Sequence, residues 1–121
     1  MFISLCFATR NRVKDLTNLL LSLQKNTINK NNVEIIAVAD IDDNETVEFS
    51  KNSCFSNFRM IFRERTEFLN RDYINFAASQ STGDNIMALN DDVVCETYGW
   101  DEILKNLQKP EDKVYYIGVN D

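Results

Sequence analysis

The chain has 121 residues, enough for one domain with one hydrophobic core, and its three glycines and single proline argue against disorder. A net charge of -6 argues against a nucleic acid as partner, although an acidic protein can bind a nucleotide when a metal ion bridges the phosphates. Histidine is absent, which removes the usual general base and the histidine ligands of zinc, so a metal ion would be bound through oxygen, as magnesium and manganese are.

The cysteines and the first residues bear on the compartment. Cys6, Cys54 and Cys95 are widely spaced and form no C-x-x-C pair, so we predict neither a disulfide framework nor a zinc ribbon. No run approaches the length of about 18 apolar residues that a transmembrane helix needs. The first residues lack a basic region and predict a strand rather than a signal peptide. We therefore expect a cytoplasmic protein.

Apolar strands alternate with amphipathic helices along the chain. Five apolar segments predict buried strands, at residues 2–8, 34–39, 58–62, 85–89 and 114–119. Helical spacing of apolar residues predicts the segments between them, at residues 13–23, around 47–49, at 71–80 and at 100–109. The predicted helix caps and stops are Asn11, Asp43, Asn70, Gly83 and Pro110.

This alternation predicts the fold class. Strands that alternate with helices form a mostly parallel sheet with helices on both faces, and residues 1–121 would form a single α/β domain. The first strand is not followed by G-x-G-x-x-G, and the chain lacks a P-loop. A dinucleotide-binding fold is therefore not supported.

Two adjacent carboxylates, Asp91 and Asp92, directly follow the apolar run at residues 86–89. A buried carboxylate is costly unless it is paired or binds a cation, so these acids are candidate ligands of a divalent metal ion. Parallel sheets bind ligands at the carboxyl ends of their strands, where the loops after strands 1, 2 and 4 would converge. The alternative is a polar turn, which Asn90-Asp91 also favours.

With these elements in order, the chain resembles the GT-A glycosyltransferases, and most closely family 2, the large inverting group. The segments that carry the resemblance are Thr9-Arg10-Asn11-Arg12, Asp40-Ile41-Asp42-Asp43, Asn75 with Gly83-Asp84, and Asn90-Asp91-Asp92. Their order and spacing cover nearly the whole chain. The resemblance implies a domain that binds a nucleotide-diphospho-sugar donor, typically a UDP-sugar, with manganese or magnesium.

The resemblance also implies roles for individual residues. Thr9 and Asn11 correspond to contacts with the base, and Asp40 to an acid that binds the uracil or ribose. Asp42 and Asp43 are alternatives to Asp40.

The remaining implied roles lie on the phosphate and metal side. Arg65 lies near the position at which family members have a basic residue that helps to hold the nucleotide. Asn90-Asp91-Asp92 falls on the D-x-D motif, in which Asp91 would lie against the ribose and sugar and Asp92 would ligate the metal. Asn90 is a weaker metal ligand than the usual aspartate.

Two departures from the family pattern stand out. Ile74 occupies a position that is often basic, and Arg71, one helical turn earlier, is a candidate substitute. Family members usually extend well past this length, so we expect a short or truncated form. No catalytic base can be assigned; Asp101, Glu102 and Asp121 are candidates only.

Three functions stay open at this point. The first is an inverting glycosyltransferase with an unidentified acceptor. The second is a non-catalytic or partial donor-binding module that lacks the acceptor segment, which a homo-oligomer could complete. The third is a metal-dependent nucleotidyltransferase, although such enzymes usually carry a glycine-rich loop after strand 1, and Thr9-Arg10-Asn11-Arg12 has no glycine.

Overall fold

The computed structural model describes residues 1–107 and contains one parallel sheet of four strands in the order β3-β2-β1-β4. The strands are β1 (Ile3–Thr9), β2 (Val33–Asp40), β3 (Phe58–Arg63) and β4 (Asn85–Ala88). The main helices are α1 (Val13–Asn26), α2 (Asn44–Asn52), α3 (Asn75–Ser79) and α4 (Trp100–Leu107). A 3-10 turn, Lys30–Asn32, precedes β2, and a π-helical turn, Asn70–Ile74, leads into α3.

Helices cover both faces of the sheet, which confirms the predicted fold class. On one face the core joins alternate residues of β1 and β2 to the apolar stripe of α1, which is Leu16, Leu19, Leu20 and Leu23, with Leu104 of α4 packed beside it. On the other face Cys6, Ile36 and Val38 pack against Tyr73 and Ala77, from the π-helical turn and α3. Both faces of β1 and β2 are therefore buried, which explains their nearly continuous apolar sequences.

The order of the strands creates a switch point between β1 and β4. The chain adds β2 and then β3 on one side of β1, and it crosses to the other side to form β4. The carboxyl ends of β1, β2 and β4 lie along one edge of the sheet because all the pairings are parallel. Ligands of open α/β sheets bind at such an edge, next to the switch point.

The predicted helix caps have different outcomes. Asp43 caps α2 as predicted, accepting a hydrogen bond from the Thr46 amide at 3.3 Å. Asn11 does not cap α1; Arg12 occupies the cap position, and Asn11 adopts a left-handed backbone conformation with φ of 52°. Asn70 is not a cap either, because the helix already includes the αR residue Leu69 and Asn70 begins the π-helical turn.

Gly83 is needed for close packing and not as a left-handed helix stop. Within residues 1–107 the glycine with positive φ is Gly99, at 78°. A Cβ atom on Gly83 would lie 2.4 Å from the Ser4 Oγ and 2.9 Å from the Phe2 carbonyl oxygen. The Gly83 amide donates to the same Ser4 hydroxyl at 2.9 Å, so the chain passes tightly against β1 before β4 begins.

Some predictions fall outside the part of the chain that the structure describes. These are the end of the last helix at Pro110, the strand at residues 114–119, and Asp121. Within residues 1–107, no helix is both long enough and apolar enough to cross a membrane.

Candidate functional site

A cleft of about 500 Å³ lies at the carboxyl ends of β1, β2 and β4. It is lined by Thr9, Asn11, Asp40, Arg65, Asn90, Asp91 and Asp92 of the residues given nucleotide or metal roles, whereas Asp42 and its alternative Asp43 do not line it. Arg10, Arg12, Thr66, Glu67, Leu69, Tyr73, Ile74 and Leu89 complete most of the lining. The sheet therefore brings together groups that lie at or just after the carboxyl ends of all four strands.

Asp40, the last residue of β2, forms one side of the cleft floor. It is 3% exposed, and both of its carboxylate oxygens accept hydrogen bonds. The Tyr73 hydroxyl donates to Oδ1, and Nη1 of Arg10 donates to Oδ2 at 2.7 Å. Burial, together with the bond to Asp40, raises the pKa of Tyr73, so this hydroxyl stays protonated and acts as a donor at neutral pH.

Arg10 bridges Asp40, at the end of β2, and Asp42, in the loop that follows. The same Nη1 atom that contacts Asp40 lies 2.9 Å from Oδ1 of Asp42. The Arg10 hydrogen bond lowers the pKa of Asp42, and the two carboxylates raise the pKa of Arg10. Asp42 is largely exposed and does not line the cleft, so its visible role is to hold Arg10 beside Asp40.

Asp91 forms the other side of the floor, directly at the switch point. The Thr9 hydroxyl, at the end of β1, donates to Oδ2 of Asp91 at 2.9 Å in a buried position. Burial raises the pKa of Asp91. The hydrogen bond from Thr9 and the charge of Arg12 act in the opposite direction and offset this rise only in part. Asp92 is half exposed, and Nη1 of Arg12 lies 3.4 Å from Asp91 and 3.6 Å from Asp92.

The loop between β1 and α1 is held in place from below by Asp43. This carboxylate is 2% exposed and accepts from the Asn11 amide at 2.7 Å and from the Thr46 hydroxyl at 2.5 Å. The bond fixes Asn11 in its left-handed conformation, and the Asn11 side chain is exposed at the cleft. Asp43 is therefore a structural acid, and the alternative role of binding the nucleotide in place of Asp40 has no support.

The segment between β3 and the π-helical turn forms the wall beside Asp40. Arg65, Thr66, Glu67 and Leu69 of this wall line the cleft. The Thr66 amide donates to the Tyr73 hydroxyl at 3.1 Å, and the Thr66 hydroxyl donates to Asp72 at 2.6 Å.

Arg71 does not substitute for the basic residue that the family usually has at position 74. Its guanidinium pairs with Asp72 at 2.9 Å and stacks over the Phe68 ring at 4.2 Å, while Ile74 lines the cleft. Hydrogen bonds from Arg71 and Thr66 lower the pKa of Asp72 to about 2. These contacts hold the Arg71 side chain on the outer side of this wall, and it does not line the cleft.

The acids at the switch point fit a divalent cation only if the ligand supplies further oxygens. Among residues 1–107, no three acidic or cysteine side chains converge as a complete metal site. Asp91 and Asp92 supply carboxylate oxygens, and the desolvated charge of Asp91 is one that a cation would stabilise. Magnesium and manganese bind in this way, with one or two carboxylates plus phosphate oxygens and water.

Three residues of the site were not assigned a role from the sequence. Arg10 and Arg12 belong to the motif after β1, but the family resemblance implies contacts with the base only for Thr9 and Asn11 of that motif. Tyr73 lies within the segment predicted as a helix at residues 71–80. A buried tyrosine needs a partner for its hydroxyl, and this requirement is the signal that could have indicated its role.

Two candidate bases lie away from the cleft. Asp101 is 5% exposed and accepts from the backbone amides of Ile28 at 3.1 Å and Asn29 at 2.9 Å, just before β2 begins. Glu102 accepts from the Asn29 side chain. Both acids are therefore at the amino-terminal edge of the sheet, opposite the cleft.

The parallel sheet and its acidic cleft define an α/β domain with a candidate ligand site at the carboxyl ends of its strands, and a comparison with known families identifies its class. The chain belongs to glycosyl transferase family 2, whose family model matches residues 4–120. A comparison with curated protein sequences found no match.

Solved structures of S. aureus TarS have a similar fold. TarS 1–349 in complex with UDP matches with a TM-score of 0.71 at 23% identity, over 88% of this chain and 31% of that chain. TarS 1–349 in complex with UDP-GlcNAc matches with a TM-score of 0.66 at 26% identity, over 88% of this chain and 30% of that chain. The chain thus spans about a third of the length of these TarS structures.

Proposed function

We propose that this chain binds a UDP-sugar through a divalent cation and acts as the donor-binding part of an inverting glycosyltransferase. The observation that carries the proposal is the convergence of Asp40 and the Asp91-Asp92 pair on one cleft, at the switch point of a family 2 domain. The TarS complexes with UDP and UDP-GlcNAc support the choice of donor.

Asp40 is the proposed acceptor for the base. A buried carboxylate that accepts from a base N–H gives a charge-assisted and directional hydrogen bond. Tyr73 and Arg10 each donate to one of its oxygens, so the base would use a remaining lone pair or displace Arg10. Thr9 and the exposed Asn11 side chain line the same cleft, and Arg65 lies on the wall beside Asp40.

Asp92, with the weaker ligand Asn90 beside it, is the proposed holder of the cation. A bound magnesium or manganese ion would neutralise the diphosphate and stabilise it as a leaving group. The half-exposed Asp92 carboxylate would ligate such an ion, and the buried Asp91, which accepts a hydrogen bond from Thr9, would lie against the ribose and sugar. Arg12 contacts both acids and moderates their repulsion before the cation binds.

Sugar transfer, unlike donor binding, also requires residues that act on the acceptor. An inverting transfer needs a base that takes the proton of the acceptor hydroxyl. The described carboxylates that line the cleft are Asp40, Glu67, Asp91 and Asp92, and all but Glu67 are proposed to serve the donor. Donor binding without transfer is therefore the second candidate function. The nucleotidyltransferase alternative gains no support from the family.

Calorimetric titration with UDP tests the proposal, with and without manganese, on the wild-type chain and on Asp92→Asn. We expect manganese to strengthen UDP binding at least about tenfold in the wild type and to have little effect in the variant, because one charged ligand is lost. Asp84→Asn is the matched control, since Asp84 is exposed and lies beside Phe2 at the far edge of the sheet. Equal manganese dependence in Asp92→Asn and the wild type would contradict the metal assignment.

A further inference from the structure

The Tyr73 hydroxyl links two walls of the cleft, the end of β2 that carries Asp40 and the segment after β3, in addition to the backbone pairing of Asp40 with Arg63. It donates to Asp40 at the end of β2 and accepts from the Thr66 amide in the segment after β3, at 3.1 Å. Tyr73 is 5% exposed, so these bonds form in a position where an unpaired hydroxyl, carboxylate or amide would be costly. One buried hydroxyl therefore satisfies a group on each wall.

The π-helical turn sets the position of this side chain. Tyr73 lies in the turn Asn70–Ile74, and its ring packs on Cys6, Ile36 and Val38 of the sheet. The π-helix is rare and is found mostly as a single turn at functional sites.

Further contacts hold the same turn to the wall it faces. The Arg63 guanidinium lies 5.6 Å from the centre of the Tyr73 ring and donates to the Asp72 carbonyl at 2.8 Å. The Thr66 hydroxyl bonds the Asp72 carboxylate. Tyr73 is therefore fixed by packing on one side and by this polar network on the other.

We propose that Tyr73 is a positioning residue that orients Asp40 toward the nucleotide base and fixes the wall segment carrying Arg65. Its hydroxyl directs Oδ1 of Asp40 inward and leaves Oδ2 to Arg10 and the ligand. The same hydroxyl holds Thr66, the neighbour of Arg65, against the cleft. The part of this inference that concerns the base rests on the proposed function, whereas the link between the walls is a property of the free protein.

Tyr73→Phe is the variant that tests the inference, because it keeps the ring in the core and removes the hydroxyl alone. We expect the dissociation constant of UDP with manganese to rise about tenfold, the value of one hydrogen bond to a charged group. Binding of inorganic pyrophosphate with manganese should weaken much less than that of UDP, because pyrophosphate has no base. Tyr98→Phe is the matched control, since Tyr98 is 69% exposed.

A double-mutant cycle separates positioning from a general loss of structure. In the Asp40→Asn background, Tyr73→Phe should weaken UDP binding less than about twofold, because the two residues act through the same contact. A full tenfold loss in that background, or an equal loss for pyrophosphate, would overturn the positioning role and indicate a merely structural one.

Hydrogen exchange of the Thr66 amide gives a readout that needs no ligand. Its exchange should accelerate in free Tyr73→Phe and stay unchanged in Tyr98→Phe, since only the former loses the acceptor of this amide. Unchanged exchange would overturn the link between the walls. Failure of the wild type to bind UDP would contradict the proposed function instead, and the exchange result would still decide the role of Tyr73.

Discussion

Asp43 illustrates how one buried side chain can fix the backbone that forms a site. It accepts from the Thr46 amide and hydroxyl within its own helix and from the Asn11 amide in the loop after β1. The carboxylate replaces the water that these donors would otherwise bind. The loop that presents Asn11 and Arg12 to the cleft is therefore attached to the start of α2.

Substitution of Asp43 should thus lower the free energy of unfolding by more than the loss of a helix cap alone. We expect Asp43→Ala to lower the free energy of unfolding by about 2 kcal/mol, because the cap is lost and the Asn11 amide loses its partner. Urea denaturation measures this change. Asp42→Ala is the control at the neighbouring position, where the exposed side chain should contribute much less to the free energy of unfolding. Equal effects of the two substitutions would contradict the role given to Asp43.

At the scale of elements, the connection from α3 to β4 depends on a close approach of two backbone segments. Gly83 passes so near β1 that a Cβ atom would lie 2.9 Å from both the Ser4 amide nitrogen and the Phe2 carbonyl oxygen. β4 pairs with β1 in a register that begins at Ile3 and Asn85, two residues after Gly83. The glycine therefore helps to set where β4 starts, and with it where Asp91 and Asp92 lie.

Gly83→Ala should lower the free energy of unfolding by about 2 kcal/mol, because the added methyl group would clash with β1. Urea denaturation measures this change. Ser4→Ala is the companion variant, because it removes the Oγ atom nearest to the added methyl group. The double variant should be less destabilised than the sum of the single variants, since part of the clash is relieved. Strict additivity would mean that Ser4 and Gly83 do not interact as described.

The elements could be predicted from sequence where a regular pattern of apolar residues exists. The four described strands were predicted within a residue or two, because both faces of the inner strands are buried. The π-helical turn was not predictable, since its i to i+5 bonding has no apolar period that differs clearly from that of an α-helix. Gly83 was predicted as a helix stop because local turn chemistry favours glycine there. Its role in close packing depends on a contact with Ser4, 79 positions away, which local sequence does not reveal.

At the scale of the whole molecule, the sheet order decides which loops can cooperate. Thr9 and Asp91 are 82 positions apart in sequence, yet they form a buried hydrogen bond because β1 and β4 are neighbours. Convergence of the acidic loops could be predicted from the rule for parallel sheets. The partners of each acid, such as Arg10 and Tyr73 on Asp40, could not, because they depend on side-chain directions that only the packed structure determines.

Asp40 and Asp92 are proposed to bind the two ends of one nucleotide in this cleft. A crystal structure of the chain with UDP and manganese, with anomalous diffraction at the manganese edge, would show both contacts. We expect a manganese ion within about 2.5 Å of an Asp92 carboxylate oxygen, with the uracil against Asp40. A manganese ion remote from Asp92, or UDP bound with its base away from Asp40, would contradict this proposal.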